Sequence, residues 1–355
     1  MQHSSTTVLP LTIGLDLGCR STQCAVLSPG GGLAEERKVP TTPEGILSLL
    51  ERHPGARLVM EASTPCRWIK SLAEAHGHEV VIANPRAIPL ITSNVRKCDR
   101  NDARLLAELG QVRPQLLSPV KLREENYQAV RTLLFARQQL VKQRTALVNF
   151  VRAEVKALGQ LLPRCSTRSF VTHNRALIPA ALRTTLAPLL EAIQAASRAI
   201  DEYDRQVEQL SEQSFPQTRV LSQVHGVGPL VALAFVATIG DPARFSRSRD
   251  VGAYLGLVPR MNQSGPIDPA LSITKCGDTY MRCLLVSSAT RILGRFGADS
   301  DLRRFGLQIV GSGGKRAKAR ARIAVARKLA VLLHRLLTTG EVYQPLRNST
   351  KRTAA

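Results

Sequence analysis

The sequence predicts an α/β domain at the front of the chain and a mostly helical remainder behind it. Three observations carry that prediction. Short apolar segments at 11–17, 23–28, 57–60 and 79–83 are separated by turn residues and by helical stretches, as in an α/β layer. From about residue 100 the spacing turns helical, and 123–158 contains neither proline nor glycine. Charge divides along the same line. Residues 1–110 carry 12 basic and 11 acidic groups, 111–310 carry 26 and 15, and 311–355 carry 11 and 1.

Each element follows from its residues. LTIGLDL (11–17) and QCAVLS (23–28) alternate as strands around a turn at 18–22. Residues 33–39 make a third, more polar strand. Pro43 opens a helix with Ile46, Leu47, Leu49 and Leu50 on its apolar side. RLVM (57–60) is a short strand ending at Glu61, 65–76 is helical, and 79–83 is another strand. Three strands, then helix, strand, helix, strand is the order of a ribonuclease-H-like domain. Many α/β folds begin this way, so the order by itself leaves the fold open. The run 123–158 predicts a helix of about ten turns. A loop follows at 159–179, holding Pro163 and Pro179, and then a second helix at 188–213. Two long helices joined by a loop predict an antiparallel arm or coiled coil, although the apolar spacing is not strictly heptad. Residues 219–240 read as helix, a tight turn at Gly226-Val-Gly228, and helix. This is a helix-hairpin-helix that presents backbone N–H groups to a phosphate, or else an ordinary helical corner.

Composition excludes several classes. The 355 residues suffice for two or three domains of about 100–200 residues. Hydrophobic residues at 44% allow packed cores and exclude wholesale disorder. The longest apolar stretch, 230–239, falls short of the ~20 residues a membrane span needs. The start, MQHSSTTVLP, has no basic residue and no long apolar run, so it is no secretory signal. Seven cysteines without a CxxC argue against both a disulfide framework and a zinc ribbon, and place the protein in a reducing cytoplasm. The net charge of +22 predicts a polyanionic partner held through phosphate neutralisation. Aromatics at only 4% disfavour single-strand binding by base stacking.

Four acids stand out. Asp16 lies near the end of one strand and Glu61 ends another, and in a sheet such ends can lie side by side. Asp99 and Asp102, in KCDRNDARLLAEL, share one face of a helix that begins near residue 99. Four carboxylates on two strands and a helix suit a pair of magnesium ions that activates a nucleophile and stabilises a leaving oxygen in phosphoryl transfer. Taken singly, Asp16 reads as a turn residue and Asp99 as an N-cap worth about 1 kcal/mol. Their joint placement is what points to a site.

The segments IGLDLG, VMEAS and KCDRNDARLLAEL, in this order and spacing, resemble the acidic quartet of the DEDD transposases of the insertion-sequence-110 family. HGVGPLVALAFVATIGD, FSRSRDVGAYLGLVPRMNQSG, ITKCGDTYMRCLL and ARIAVARKLAVLLHRLL resemble that family's second domain. The resemblance spans roughly 11–345. It implies a RuvC-like, ribonuclease-H-like first domain over 1–122, a helical coiled-coil arm over 123–216 and a mostly helical transposase domain with the hairpin over 217–345. A basic tail at 346–355 follows. It also implies a recombinase, dimeric or tetrameric, guided by a structured bridge RNA and acting on element ends and target DNA. Carried over by position, the metal ligands are Asp16, Glu61, Asp99 and Asp102, and the nucleophile is Ser264 in PRMNQSG. Without the resemblance, Ser264 in its proline-flanked loop reads as a turn. This chain departs from the family pattern in GPIDPALS after the serine and in ASTPCRW after Glu61.

A serine that attacks a DNA phosphate keeps the bond energy in a phosphoserine ester, so rejoining needs no external energy. The rival reading is a metal-dependent, junction-resolvase-like nuclease that hydrolyses DNA and has no use for Ser264. A third is a non-catalytic nucleic-acid scaffold. Gly226 and Gly228 of the hairpin, with Lys275, Arg282 and Arg291 around a largely apolar helix at 278–293, are the phosphate-contact candidates. Lys315, Arg316, Lys318, Arg320 and Arg322 in GGKRAKARAR put five cations in ten residues with no acid, a density that favours RNA or DNA over a merely solvated face. Trp68 reads as a core anchor, His225 as structural or phosphate-facing, and Ser272 as part of a strand.

Overall fold

The computed structural model describes residues 9–85, 99–261 and 271–347. The chain divides into two compact units, Met1–Leu122 and Arg123–Ala355.

The first unit is built on a five-stranded mixed sheet with strand order β3-β2-β1-β4-β5. Strands β1 (Thr12–Leu17), β2 (Ser21–Leu27) and β3 (Leu33–Pro40) run antiparallel as a meander. β4 (Arg57–Glu61) and β5 (Val80–Ala83) join in parallel beyond β1, and parallel pairing requires crossover helices. Helix α1 (Pro43–Arg52) supplies one, with Thr42 accepting from the Gly45 N–H and Pro43 in the first turn. Helix α2 (Cys66–Ala75) supplies the other. Alternation along the strands sends Ile13, Leu15, Leu58, Met60 and Ile82 into one core layer with Ile46, Leu49, Leu50 and Ile69, where Trp68 packs partly buried at the edge. The opposite face carries Val59, Val81 and Ala83, covered by Leu106 of helix α3 (Asp99–Val112).

Helix α3 lies directly on that second face because two glycines let the backbones meet. A Cβ on Gly14 would come within 2.6 Å of the Ala107 nitrogen and closer still to the Ala103 carbonyl oxygen. Gly110 on the helix stands in turn against Val59. Gln111 fastens the helix end by donating to the Pro10 and Ser28 carbonyls at 2.9 Å each.

The second unit is helical. Helix α4 (Glu125–Ala157) and helix α6 (Ala180–Gln213) run antiparallel, as the pairs Arg137–Asp204 and Arg144–Ser197 show. Helix α6 begins eight residues before the predicted start. Pro188 lies inside it, tolerated where Leu186 and Leu190 bury against Val148 and Val151. The predicted loop at 159–179 also holds helix α5 (Phe170–Asn174) and a 3-10 turn (Arg175–Leu177). Phe170 is fully buried there, and Asn174 donates to the Phe170 carbonyl at 2.9 Å.

Helices α7 (Thr218–Ser222), α8 (Pro229–Ile239), α9 (Asp250–Tyr254), α10 (Thr279–Leu293), α11 (Asp301–Val310) and α12 (Lys315–Thr339) share one core. At its centre are Leu233, Phe235, Leu285, Leu329 and Leu333. α10 is capped by Asp278, which accepts from the Met281 N–H at 2.9 Å and pairs with Arg131 of α4 at 2.6 Å. Side-chain exposures of 14% and 7% make this a buried ion pair. Ser272 is not in a regular strand: Pro259 and Ile273 form one isolated antiparallel bridge, flanked by Arg260 N–H to Ser272 O and Thr274 N–H to Val258 O. No helix among the described residues is long and apolar enough to cross a membrane.

Candidate nuclease and nucleic-acid sites

The first unit gathers carboxylates at one end of its sheet. Leu15 pairs with Met60 as the last register partners of β1 and β4, so Asp16 and Glu61 follow as neighbours one residue further on. Asp16 is two residues beyond Gly14, and Glu61 two beyond Val59. Both of those residues face α3, so by strand alternation Asp16 and Glu61 lie on the α3 side. Asp102 immediately precedes Ala103, whose carbonyl abuts Gly14, and is 7% exposed. Asp99 opens α3 three residues earlier and is exposed. The glycine contact at Gly14 therefore sets the helix turn bearing Asp102 against the strand that carries Asp16 near its end. A glycine two residues before an aspartate, inside an apolar strand, is the signal in the sequence for that close approach.

These donors are hard carboxylate oxygens, the ligand type that magnesium takes. As the side chains stand, no three His, Cys, Asp or Glu groups among the described residues are close enough together to hold a metal ion.

In the second unit the hairpin has the predicted layout. Gly226 adopts φ +86, the left-handed region open to glycine, and the Val227 N–H closes the turn on the Val224 carbonyl. Gly228 stands extended at the N-cap of α8, whose first turn no side chain caps. His225 is exposed. Lys275 is exposed at φ +57, and Arg291 is exposed in the last turn of α10.

Arg282 is a correction. It is 8% exposed, and its guanidinium donates to the Leu255 and Cys276 carbonyls and to the Thr279 hydroxyl, at 2.9, 2.7 and 3.0 Å. It lies on the inner face of α10 and ties down two backbone segments, so its donors serve the fold and do not face a phosphate. Ser264 lies outside the described residues.

Lys315, Arg316, Lys318, Arg320 and Arg322 are all exposed on α12. The same helix buries Ala321, Val325, Leu329 and Leu333 completely further along its length. Its first two turns thus offer a cationic face and its later turns supply the core. An open groove of about 1030 Å³ runs beside it, lined among others by Pro259, Ser272, Arg320, Ile323, Arg327 and Val342.

Comparison with known proteins adds independent findings. A family model described as a transposase matches residues 13–160, and one for the transposase IS116/IS110/IS902 family matches 218–305. The chain is 32% identical to the transposase for insertion sequence element IS1111A of Coxiella burnetii, over 81% of this chain and 79% of that one. It is 31% identical to a probable family 20 transposase of Pseudomonas aeruginosa, over 82% and 87%. It is 26% identical to a pilin gene-inverting protein of Moraxella lacunata, over 79% of each.

Proposed function

The chain belongs to the IS110 family of transposases, and on that premise we propose that it cuts and rejoins DNA through a serine–DNA intermediate under the direction of a structured guide RNA. Membership makes it a DNA-cleaving and rejoining enzyme. The observation that carries the finer reading is the placement of Asp16, Glu61 and Asp102 on one face, at one end of a ribonuclease-H-like sheet.

In this reading the first unit is the RuvC-like domain, 123–216 is the coiled-coil arm, and 217–345 is the transposase domain. Asp16, Glu61, Asp99 and Asp102 would hold magnesium, which would supply charge stabilisation at the scissile phosphate and the leaving oxygen. Ser264 supplies the nucleophile. Its hydroxyl oxygen bonds to phosphorus as the 3′ or 5′ oxygen of the cut strand leaves and takes up a proton. Attack by that oxygen on the phosphoserine ester reverses the step, so the phosphodiester is restored without an energy source. Gly226, Gly228, Lys275, Arg291 and the cationic face of α12 hold nucleic-acid phosphates.

One chain carries one Ser264, whereas recombination cuts several strands, so the active species is an oligomer in which the serine of one subunit works with the acids of another. Mixing Ser264→Ala with Asp102→Ala subunits tests this on guide-RNA-loaded protein. Composite sites restore cleavage of a strand in some mixed assemblies; self-contained sites leave the mixture as inactive as either variant. Denaturing gels test the intermediate. DNA stays attached to wild-type protein and to none of the Ser264→Ala protein. Cleavage without any adduct would instead establish the hydrolytic nuclease.

A further inference from the structure

The turn between α10 and α11 leaves an aromatic ring in water. Phe296 is 79% exposed, far more than Phe150 at 49% or Phe135 at 36%. The turn that carries it is stiff. The Gly297 N–H bonds the Gly294 carbonyl at 3.0 Å, and Arg303 donates to the carbonyls of Ile292 at 2.7 Å and Gly294 at 2.5 Å. A Cβ at Gly297 would collide with the Ile292 carbonyl and the Arg303 guanidinium, so the backbone there is closely packed. The ring is therefore carried by a rigid backbone.

Its neighbours are cationic. The Arg295 guanidinium covers one ring face, 4.3 Å from the centroid. Arg291 is exposed on the preceding helical turn. Asp299, the acid nearest in sequence, is held by Arg304 through bonds of 2.9 and 2.6 Å, which offset its charge. The hairpin is seated on the same end of α10. A Cβ at Gly226 would lie 3.1 Å from the Ser288 carbonyl, 3.3 Å from Ile292 and 3.6 Å from the Arg291 Cβ. Ile292 thus supports the hairpin with its side chain and the Phe296 turn with its carbonyl.

We infer that Phe296 is a wedge that enters a base step of duplex DNA held by the hairpin, with Arg291 on a flanking phosphate and Arg295 turning from the ring face to another as a base takes its place. The inference rests on the reading of the hairpin as a phosphate-binding module. Apolar side chains inserted between base pairs unstack the step and bend the duplex. An aromatic ring does so with little sequence preference, since every base offers a π face. That tolerance suits an enzyme whose site choice is delegated to a guide RNA.

Full-length protein is titrated with a duplex carrying 2-aminopurine, whose fluorescence rises when its step unstacks. The wild type raises the signal. Phe296→Ala loses the rise and binds about 5- to 150-fold more weakly, as expected for one lost base stack. The slope of log affinity against log salt stays unchanged, because no charge has been removed. Phe296→Ala with wild-type affinity and fluorescence would overturn the wedge. Gly228→Glu is the companion variant: nothing lies within 4 Å of a Cβ there, so the fold accepts it, and its carboxylate repels a phosphate. If Gly228→Glu weakens binding and Phe296→Ala does not, the wedge alone fails. If Phe296→Ala weakens binding and quenches the rise while Gly228→Glu changes nothing, the hairpin does not hold the duplex, and the inference is overturned with the reading it rests on. If neither variant changes anything, both readings fail.

Discussion

Replacing Gly14 by alanine tests whether the glycine contact positions the acids. The new Cβ would stand 2.6 Å from the Ala107 nitrogen and closer to the Ala103 oxygen, where an ordinary contact is 3.4 Å or more. Helix α3 must therefore retreat by about 0.8 Å or more, by simple difference, and Asp102 moves with it. Overpacking of this kind costs about 1–3 kcal/mol, partly offset by the lower chain entropy of unfolded alanine. For a unit of this size the melting temperature falls by about 3–10 °C. The catalytic effect is larger. A catalytic group displaced by about 1 Å loses about 100-fold in rate. Strand cleavage by purified full-length protein, measured well below the melting transition, should thus drop about 100-fold. Gly30→Ala is the control, since its Cβ meets nothing closer than the Ser28 hydroxyl at 3.9 Å. A Gly14→Ala protein that cleaves at the wild-type rate would refute the argument that backbone contact sets the position of Asp102.

Asp102→Asn and Asp16→Asn keep side-chain size and remove charge, so cleavage should vanish while circular dichroism and the melting curve persist. Substituting Lys315, Lys318 and Arg322 together by alanine should reduce the salt slope of nucleic-acid binding by up to about three without shifting the melting temperature. Deleting 313–355 instead should unfold the second unit, since that removes Val325, Leu329 and Leu333 from its core. Asp278→Ala strands the largely buried Arg131 and uncaps α10, and should cost about 3–5 kcal/mol in urea unfolding. Arg144 is buried on the arm with its Nε unpartnered, and burial lowers its pKa. Arg144→Leu should therefore leave stability unchanged or raise it, by up to about 4 kcal/mol.

Much of the architecture was legible in the sequence because local periodicity and punctuation carry it. Strand alternation in TIGLDL and RLVME, the Thr42–Pro43 cap and the unbroken run of α4 each fix an element within a few residues. The transposase family was legible for a similar reason: IGLDLG, VMEAS and KCDRNDARLLAEL are contiguous strings whose order survives without any coordinates. The errors arose where packing overrules local preference. The sequence places the start of the second long helix at 188, but burial of Leu186 and Leu190 extends α6 back through Pro188 to Ala180. The arm looked irregular because Ser197 and Ser211 occupy seam positions. Residues 186, 190, 193, 197, 200, 207 and 211 are buried at spacings of three, four and seven, a repeat that two serines hide from a hydrophobicity reading.

What only the tertiary structure decided is which way side chains turn. Arg282 and Arg291 sit on one helix with similar neighbours in the chain, yet one guanidinium is consumed by Leu255 and Cys276 and the other faces solvent. Gly14 reads as one glycine in a strand until Ala103 and Ala107, about ninety residues away in sequence, come down upon it. By itself the sequence determined the elements, the polyanion-binding charge and the set of candidate acids, since these follow from residue type and short-range spacing. The tertiary structure decided which acids share a face and which cations are free for a partner, because both depend on contacts between segments far apart in the chain.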